Sequence, residues 1–143
     1  MDKITLGIKE IDKDYYFRET CFGIVYKNNS FYITIKNNDY SLIGGGIEEG
    51  ESHIETLKRE FMEEAGLEIE STTPLITIDC YWVTNHGHYV NSLAHFYIVS
   101  VSNKEYTPLE QESSLVKVSK EEILSKLFLP YQIKAVSMYL DMI

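Results

Sequence analysis

The chain has 143 residues, 44% of them apolar, and a formal charge of −9. Length and composition fit one globular domain, residues 1–143, large enough to bury a core. The negative balance argues against nonspecific binding to a nucleic-acid polymer, which relies on a basic surface, but not against a small polyphosphate whose charge a bound metal offsets.

Residues 3–9 alternate, with Ile4, Leu6 and Ile8 on one side, which predicts a half-buried strand. The N-terminal MDKITLGIKE lacks a signal peptide's apolar stretch, and no run approaches the length of a membrane span. Phe17–Tyr26 and Phe31–Ile35 are rich in aromatic and β-branched residues, and Lys27-Asn28-Asn29-Ser30 between them supplies turn chemistry, so a β-hairpin is expected. Cys21 and Cys80 form neither a disulfide framework nor a metal pair. They read as buried free thiols, with the cytoplasm as the expected compartment. Asn37-Asn38-Asp39 predicts a second turn, and Tyr40–Ile43 a short strand leading into three glycines.

Those glycines open GGGIEEGESHIETLKREFMEEAGL, residues 44–67. Ser52 with Glu55 three residues on makes a capping box, good helix formers follow, and Gly66 stands where a helix stops. At helical spacing Ile54, Leu57, Phe61 and Ala65 share one face, and Glu60, Glu63 and Glu64 share a neighbouring arc. Three like charges so close repel, and folding alone gives no reason to collect them. A hard divalent cation does, because Mg²⁺ takes carboxylate oxygens together with waters and substrate phosphates. Arg59 reaches Glu63 at i+4.

Gly45, Glu51, Arg59-Glu60, Phe61, Glu63-Glu64, Ala65, Gly66 and Leu67, at these spacings, resemble the signature of the Nudix (MutT-like) hydrolases. Phe61 stands where the family more often has an aliphatic residue, and Ile43 where it often has proline. The resemblance implies a Nudix fold: an α/β/α sandwich with a mixed sheet and the box as loop–helix–loop. It also implies hydrolysis of a pyrophosphate bond in a nucleotide, dependent on Mg²⁺ or Mn²⁺. The implied metal ligands are the Gly45 carbonyl, Glu60, Glu63 and Glu64. Arg59 would orient Glu60 or Glu63, and Glu51 would support the loop. The general base stays open among Glu63, Glu64 and a distant loop glutamate, Glu112 first and Glu110 next. Arg18 is either a phosphate contact, as in many family members, or a surface arginine. A nucleotide sensor without turnover is the alternative function, although such domains usually lose box carboxylates.

Beyond the box, Ser71–Pro74 reads as a connection, with strands at Leu75–Val83 and Tyr89–Val101 and a polar turn, Thr84–His88, between them. His86 and His88 complete no zinc set, and His95 reads as a sheet-face histidine. Tyr81 and Trp82 can stack on a base or pack inward. Asn103–Ser114 is a polar, acidic loop and Leu115–Val118 a short strand. Ser119 and Glu122 predict a second capping box for a helix through Leu127. Pro130 opens a last helix with Ile133, Val136 and Leu140 on its apolar face. The hairpin excludes a purely parallel sheet. The substrate is left open: about sixteen residues past the box, around Val83, stands neither the proline of ADP-ribose hydrolases nor the tyrosine of dinucleoside polyphosphate hydrolases. A nucleoside triphosphate is the default and a diphosphate conjugate the alternative. The expected partner is that small nucleotide alone, with the chain a monomer or homodimer.

Overall fold

Alternation along the strand Tyr16–Ile24 sets the layering, because successive strand residues point to opposite faces. In the computed structural model, which describes residues 1–143, Cys21 joins one apolar core while Phe22 and Ile24 join another. The strands are β1 Lys3–Leu6, β2 Tyr16–Ile24, β3 Tyr26–Lys27, β4 Ser30–Lys36, β5 Asp39–Ser41, β6 Ile43–Gly46, β7 Leu67–Val83, β8 Tyr89–Glu105 and β9 Ser113–Val118. Helix α1, His53–Glu60, continues into a π-helical turn, Phe61–Ala65; α2 is Ile123–Lys126 and α3 Pro130–Leu140.

The main sheet has the order β1-β7-β8-β2-β6. The β1/β7 and β2/β8 pairs are parallel and the β7/β8 and β2/β6 pairs antiparallel, so the sheet is mixed. A smaller antiparallel sheet joins β3, β4, β5 and β9. On one face Leu57, Phe61 and Ala65 pack with Cys21, Ile43, Tyr97 and Val99. On the other, Tyr131, Ala135, Val136 and Tyr139 of α3 pack with Phe22, Ile24, Ile76, Ile78 and Phe96. The result is the expected α/β/α sandwich. No helix is long and apolar enough to cross a membrane. Both cysteines are buried and free, and burial pushes their thiols up to about 12 for Cys21 and about 11 for Cys80.

Several boundaries depart from the sequence reading. β1 ends at Leu6, and Ile8 is exposed beyond it. The expected hairpin exists only at its tip, where Tyr26 pairs with Phe31 around Asn28 and Asn29, both at positive φ. The preceding strand leaves for the main sheet. Ser71–Pro74 is no connection: β7 runs unbroken through it, with a register shift between Pro74 and Ile76. A proline is tolerated at such an irregularity because one ladder donor is not required there. The second capping box does not form. Glu122 is the N-cap of α2, and the Ser119 hydroxyl bonds the Glu122 carboxylate instead of a helix amide. The buried face of α3 is Tyr131, Gln132, Ala135, Val136 and Tyr139, with Ile133 and Leu140 only partly covered. Gln132 is fully buried because its amide oxygen accepts from the Leu42 N–H at 2.9 Å.

Candidate active site

The box folds largely from local contacts. Ser52 Oγ accepts from the Glu55 amide, the Glu55 carboxylate accepts from the Ser52 amide, and Gly66 closes the helix at φ 66°. The three glycines are not all loop: Gly44, Gly45 and Gly46 lie in β6, an edge of the main sheet. Gly23 in β2 makes room for the unusual Phe61, since a Cβ there would lie 2.5 Å from the ring. Ile43, in the proline position, is buried in the same core.

The π-helical turn redistributes the acidic residues, because a wider turn changes the angular step after Glu60. Ligand-capable oxygens of Glu60, Glu63 and Glu110 lie within 4.8 Å of one another. Glu64 turns toward β6, where Oε1 accepts from the Gly44 amide at 2.9 Å. Burial pushes its carboxyl up to about 8. Glu60 is also shifted upward by burial, against the Arg59 guanidinium that partly offsets it.

Arg59 organises the cluster. Nε donates to Glu51 Oε2 at 2.7 Å, Nη2 to Glu51 Oε1 at 2.9 Å and to the Gly46 carbonyl at 3.0 Å. Nη1 donates to Glu60 at 2.7 Å and Glu63 at 3.3 Å. Glu51 also accepts from the Glu48 amide and the Thr56 hydroxyl. These contacts, with hydrogen bonds from Arg59 foremost, hold it well below the usual carboxylate range, at about 2.

The loop before β9 adds Glu110. Its amide donates to the Glu63 carbonyl at 2.8 Å, and its carboxylate accepts from Lys36 Nζ at 3.0 Å. Glu112 lies next to the same Lys36 at 3.6 Å, with its side chain 54% exposed, outside the clustered oxygens. Nothing local in the sequence announces Lys36, which lies 74 residues from its partner.

Adjacent strand residues face opposite ways, and here that puts opposite charges on two sides of β6. A Cβ on Gly45 would lie 2.9 Å from Glu60 Oε1, and one on Gly46 would lie 3.6 Å from Arg18 Nη2. Arg18 shares its sheet face with Thr20, whose buried hydroxyl has no protein partner. On that face Trp82 donates from Nε1 to Ser92, packs against Tyr131, and helps line a cavity of about 510 Å³ with Asn85, His86 and Phe128. Tyr81 lies on the opposite face, edge-on to Tyr15 at 5.3 Å. The structure therefore groups Gly45, Arg59, Glu60, Glu63 and Glu110, keeps Glu64 and Arg18 on their margins, and leaves Tyr81 apart.

Opposed carboxylate oxygens beside an edge of glycines suit a hard divalent cation, which prefers oxygen donors and keeps positions for substrate phosphates. A model of the NUDIX domain matches residues 23–137. No curated protein matches the chain. Among solved structures, a NUDIX hydrolase from Nitrosomonas europaea is similar at TM-score 0.69 and 17% identity, covering 87% of this chain and 88% of its own. The MutT protein from Bacillus halodurans gives 0.68 and 19%, covering 83% and 81%. The ORF135 protein of E. coli gives 0.65 and 19%, covering 89% and 91%.

Proposed function

The chain belongs to the Nudix family of hydrolases, which act on pyrophosphate bonds in nucleoside diphosphate derivatives, and on that premise we propose a Mg²⁺-dependent pyrophosphohydrolase of a nucleoside triphosphate or diphosphate conjugate. The observation that carries this reading is the gathering of Glu60, Glu63 and Glu110 on one side of β6 with Arg18 on the other. Residues 1–143 act as one domain in this reading. Every side chain it uses lies within residues 1–143, and a monomer and a homodimer both fit it. Two free buried thiols fit a reducing cytoplasm.

Glu60, Glu63 and the Gly45 carbonyl would hold the cation, with Glu64 as a further ligand. When bound, Mg²⁺ or Mn²⁺ supplies charge neutralisation on the pyrophosphate oxygens and makes water more acidic. Arg59 keeps Glu60 and Glu63 apart from free rotation and ties both to the Gly46 carbonyl. Glycine in β6 lets phosphate oxygens approach the backbone edge closely. Arg18 meets phosphate charge from the opposite face, and a charged, planar guanidinium suits it for that contact. Glu110 takes the proton of the attacking water, ahead of Glu112, because its main chain is fixed to Glu63. Trp82 and the adjoining cavity offer an aromatic wall for a base; Tyr81, on the other face, is the second candidate for stacking.

The test is a panel of nucleoside triphosphates, nucleotide sugars and dinucleotides incubated with Mg²⁺ or Mn²⁺, with both products identified. Turnover that requires the cation and yields a nucleoside monophosphate is the expected result. Full activity in excess chelator would remove the metal from the reading.

A further inference from the structure

A second set of metal-capable side chains lies at the other end of α1, and the box chemistry does not use it. Ligand atoms of Glu19, His53 and His95 all fall within 4.8 Å of one another. They come from β2, the first turn of α1 and β8, separated by more than thirty residues in sequence. The imidazoles of His53 and His95 stack with centroids 4.1 Å apart and planes 28° from parallel. His95 Nε2 lies 2.7 Å from Glu19 Oε2.

From this arrangement we infer that Glu19, His53 and His95 form a binding site for a divalent transition-metal ion of the Zn²⁺ type. Imidazole nitrogen suits such ions where all-oxygen donors suit Mg²⁺. The hydroxyls around the site support the assignment. His95 Nδ1 lies 2.8 Å from Thr77 Oγ1, and His53 Nδ1 lies 2.7 Å from Tyr97 Oη. Each ring is anchored through Nδ1 to a hydroxyl, so Nε2 is the nitrogen offered to the metal, which in His95 would part the contact with Glu19. Such a second partner orients a ligating histidine and fixes its tautomer. Hydroxyls can donate or accept, so Thr77 and Tyr97 serve either tautomer. On binding, the metal replaces the Nε2 proton of His95, and that proton moves to Nδ1 or to solvent.

Ligand atoms in a tetrahedral zinc site sit about 3.3 Å apart, given bonds of about 2.0–2.1 Å. The Glu19–His95 pair, at 2.7 Å, opens to that with a small movement of Glu19, whose side chain is 40% exposed. The same exposure leaves a fourth position to water. A metal here would pin the start of α1 to β2 and β8, and the Glu19 carbonyl already accepts from the Ile47 amide where the box loop begins.

The test uses the full chain stripped of metal and titrated with Zn²⁺ by calorimetry, with Co²⁺ as a spectroscopic probe. With excess Mg²⁺ present to occupy the acidic cluster, the expected result is one Zn²⁺ per chain, bound tighter than about 10 µM, and visible Co²⁺ absorption of a four-coordinate site. His53→Gln and Glu19→Gln, at partly exposed positions, should each weaken Zn²⁺ binding at least tenfold. Glu63→Gln should leave it unchanged, which separates this site from the acidic cluster. Circular dichroism of each variant checks the fold, and His53→Gln bears the test if another variant does not fold. Wild-type binding weaker than about 100 µM, a loss under tenfold in His53→Gln, or binding abolished instead by replacing His86 and His88 would each overturn the assignment.

Discussion

Arg59 and Glu51 form a bidentate pair, with Nε and Nη2 of the arginine on the two carboxylate oxygens at 2.7 and 2.9 Å. The pair is only partly exposed, at 22% and 16% of the side chains. It sets the direction in which Arg59 offers Nη1 to Glu60 and Glu63. Glu51 thus positions the proposed ligands without touching them. Replacing an outer partner of a metal ligand typically costs about 10- to 100-fold in affinity or activity. Glu51→Gln should therefore raise the Mg²⁺ concentration for half-maximal rate about tenfold or more. A variant with wild-type Mg²⁺ dependence would reduce the pair to a stabilising contact alone.

Glu64 predicts a pH dependence of the metal-free protein. Burial holds its folded pKa at about 8, above the ordinary 4.5. Between these values the folded state keeps a proton that the unfolded state has released. This group's contribution is therefore full at low pH and declines as pH rises from about 4.5 to 8. In excess chelator, the difference in thermal midpoint between Glu64→Gln and wild type should grow in favour of the variant across that window. Parallel midpoints from pH 5 to 8 would show that Glu64 is ionised in the folded protein.

The parts of this site that were legible in the sequence are those built from neighbours. Ser52, Glu55 and Gly66 announce a helix start and stop because their partners lie three or four residues away. The order of charges from Arg59 to Glu64 could be read, but not their final directions, because the π-helical turn is not encoded in helical spacing. Glu110 and Lys36 meet only through the β4/β9 pairing, and Glu19, His53 and His95 only through the β2/β8 register and the docking of α1. Ser71–Pro74 misled because its turn-forming residues sit inside a long strand stabilised by β8 along its length.

Gly23 and Phe61 should behave as a coupled pair. A Cβ at residue 23 would press on the ring at 2.5 Å and on Val99 at 2.8 Å. Gly23→Ala should cost about 1–3 kcal/mol through overpacking. Adding Phe61→Leu removes the obstructing ring, so the double variant should be more stable than the sum of the single effects predicts. Contacting residues commonly couple by about 0.5–3 kcal/mol. Additive losses in chemical denaturation would mean that the strain of Gly23→Ala falls on Val99 or the backbone.

The two loop glutamates separate by what holds them. Glu110 is fixed twice, by its amide on the Glu63 carbonyl and by Lys36 on its carboxylate, and it joins the clustered oxygens. Glu112 has only a longer contact with the same lysine and stands half in solvent. Glu110→Gln should lower kcat by about a hundredfold or more, the scale of losing a general base. Glu112→Gln should stay within about threefold of wild type. A base and a metal ligand then differ in how Mg²⁺ acts on the loss. If Glu110 serves as base, saturating Mg²⁺ leaves the Glu110→Gln rate low and the acidic limb of the pH–rate profile disappears. If it serves only as a ligand, higher Mg²⁺ restores much of the rate and the limb remains. The reverse pattern, with Glu112→Gln inactive and Glu110→Gln unaffected, would assign the base to Glu112 and require the loop to rearrange when substrate binds.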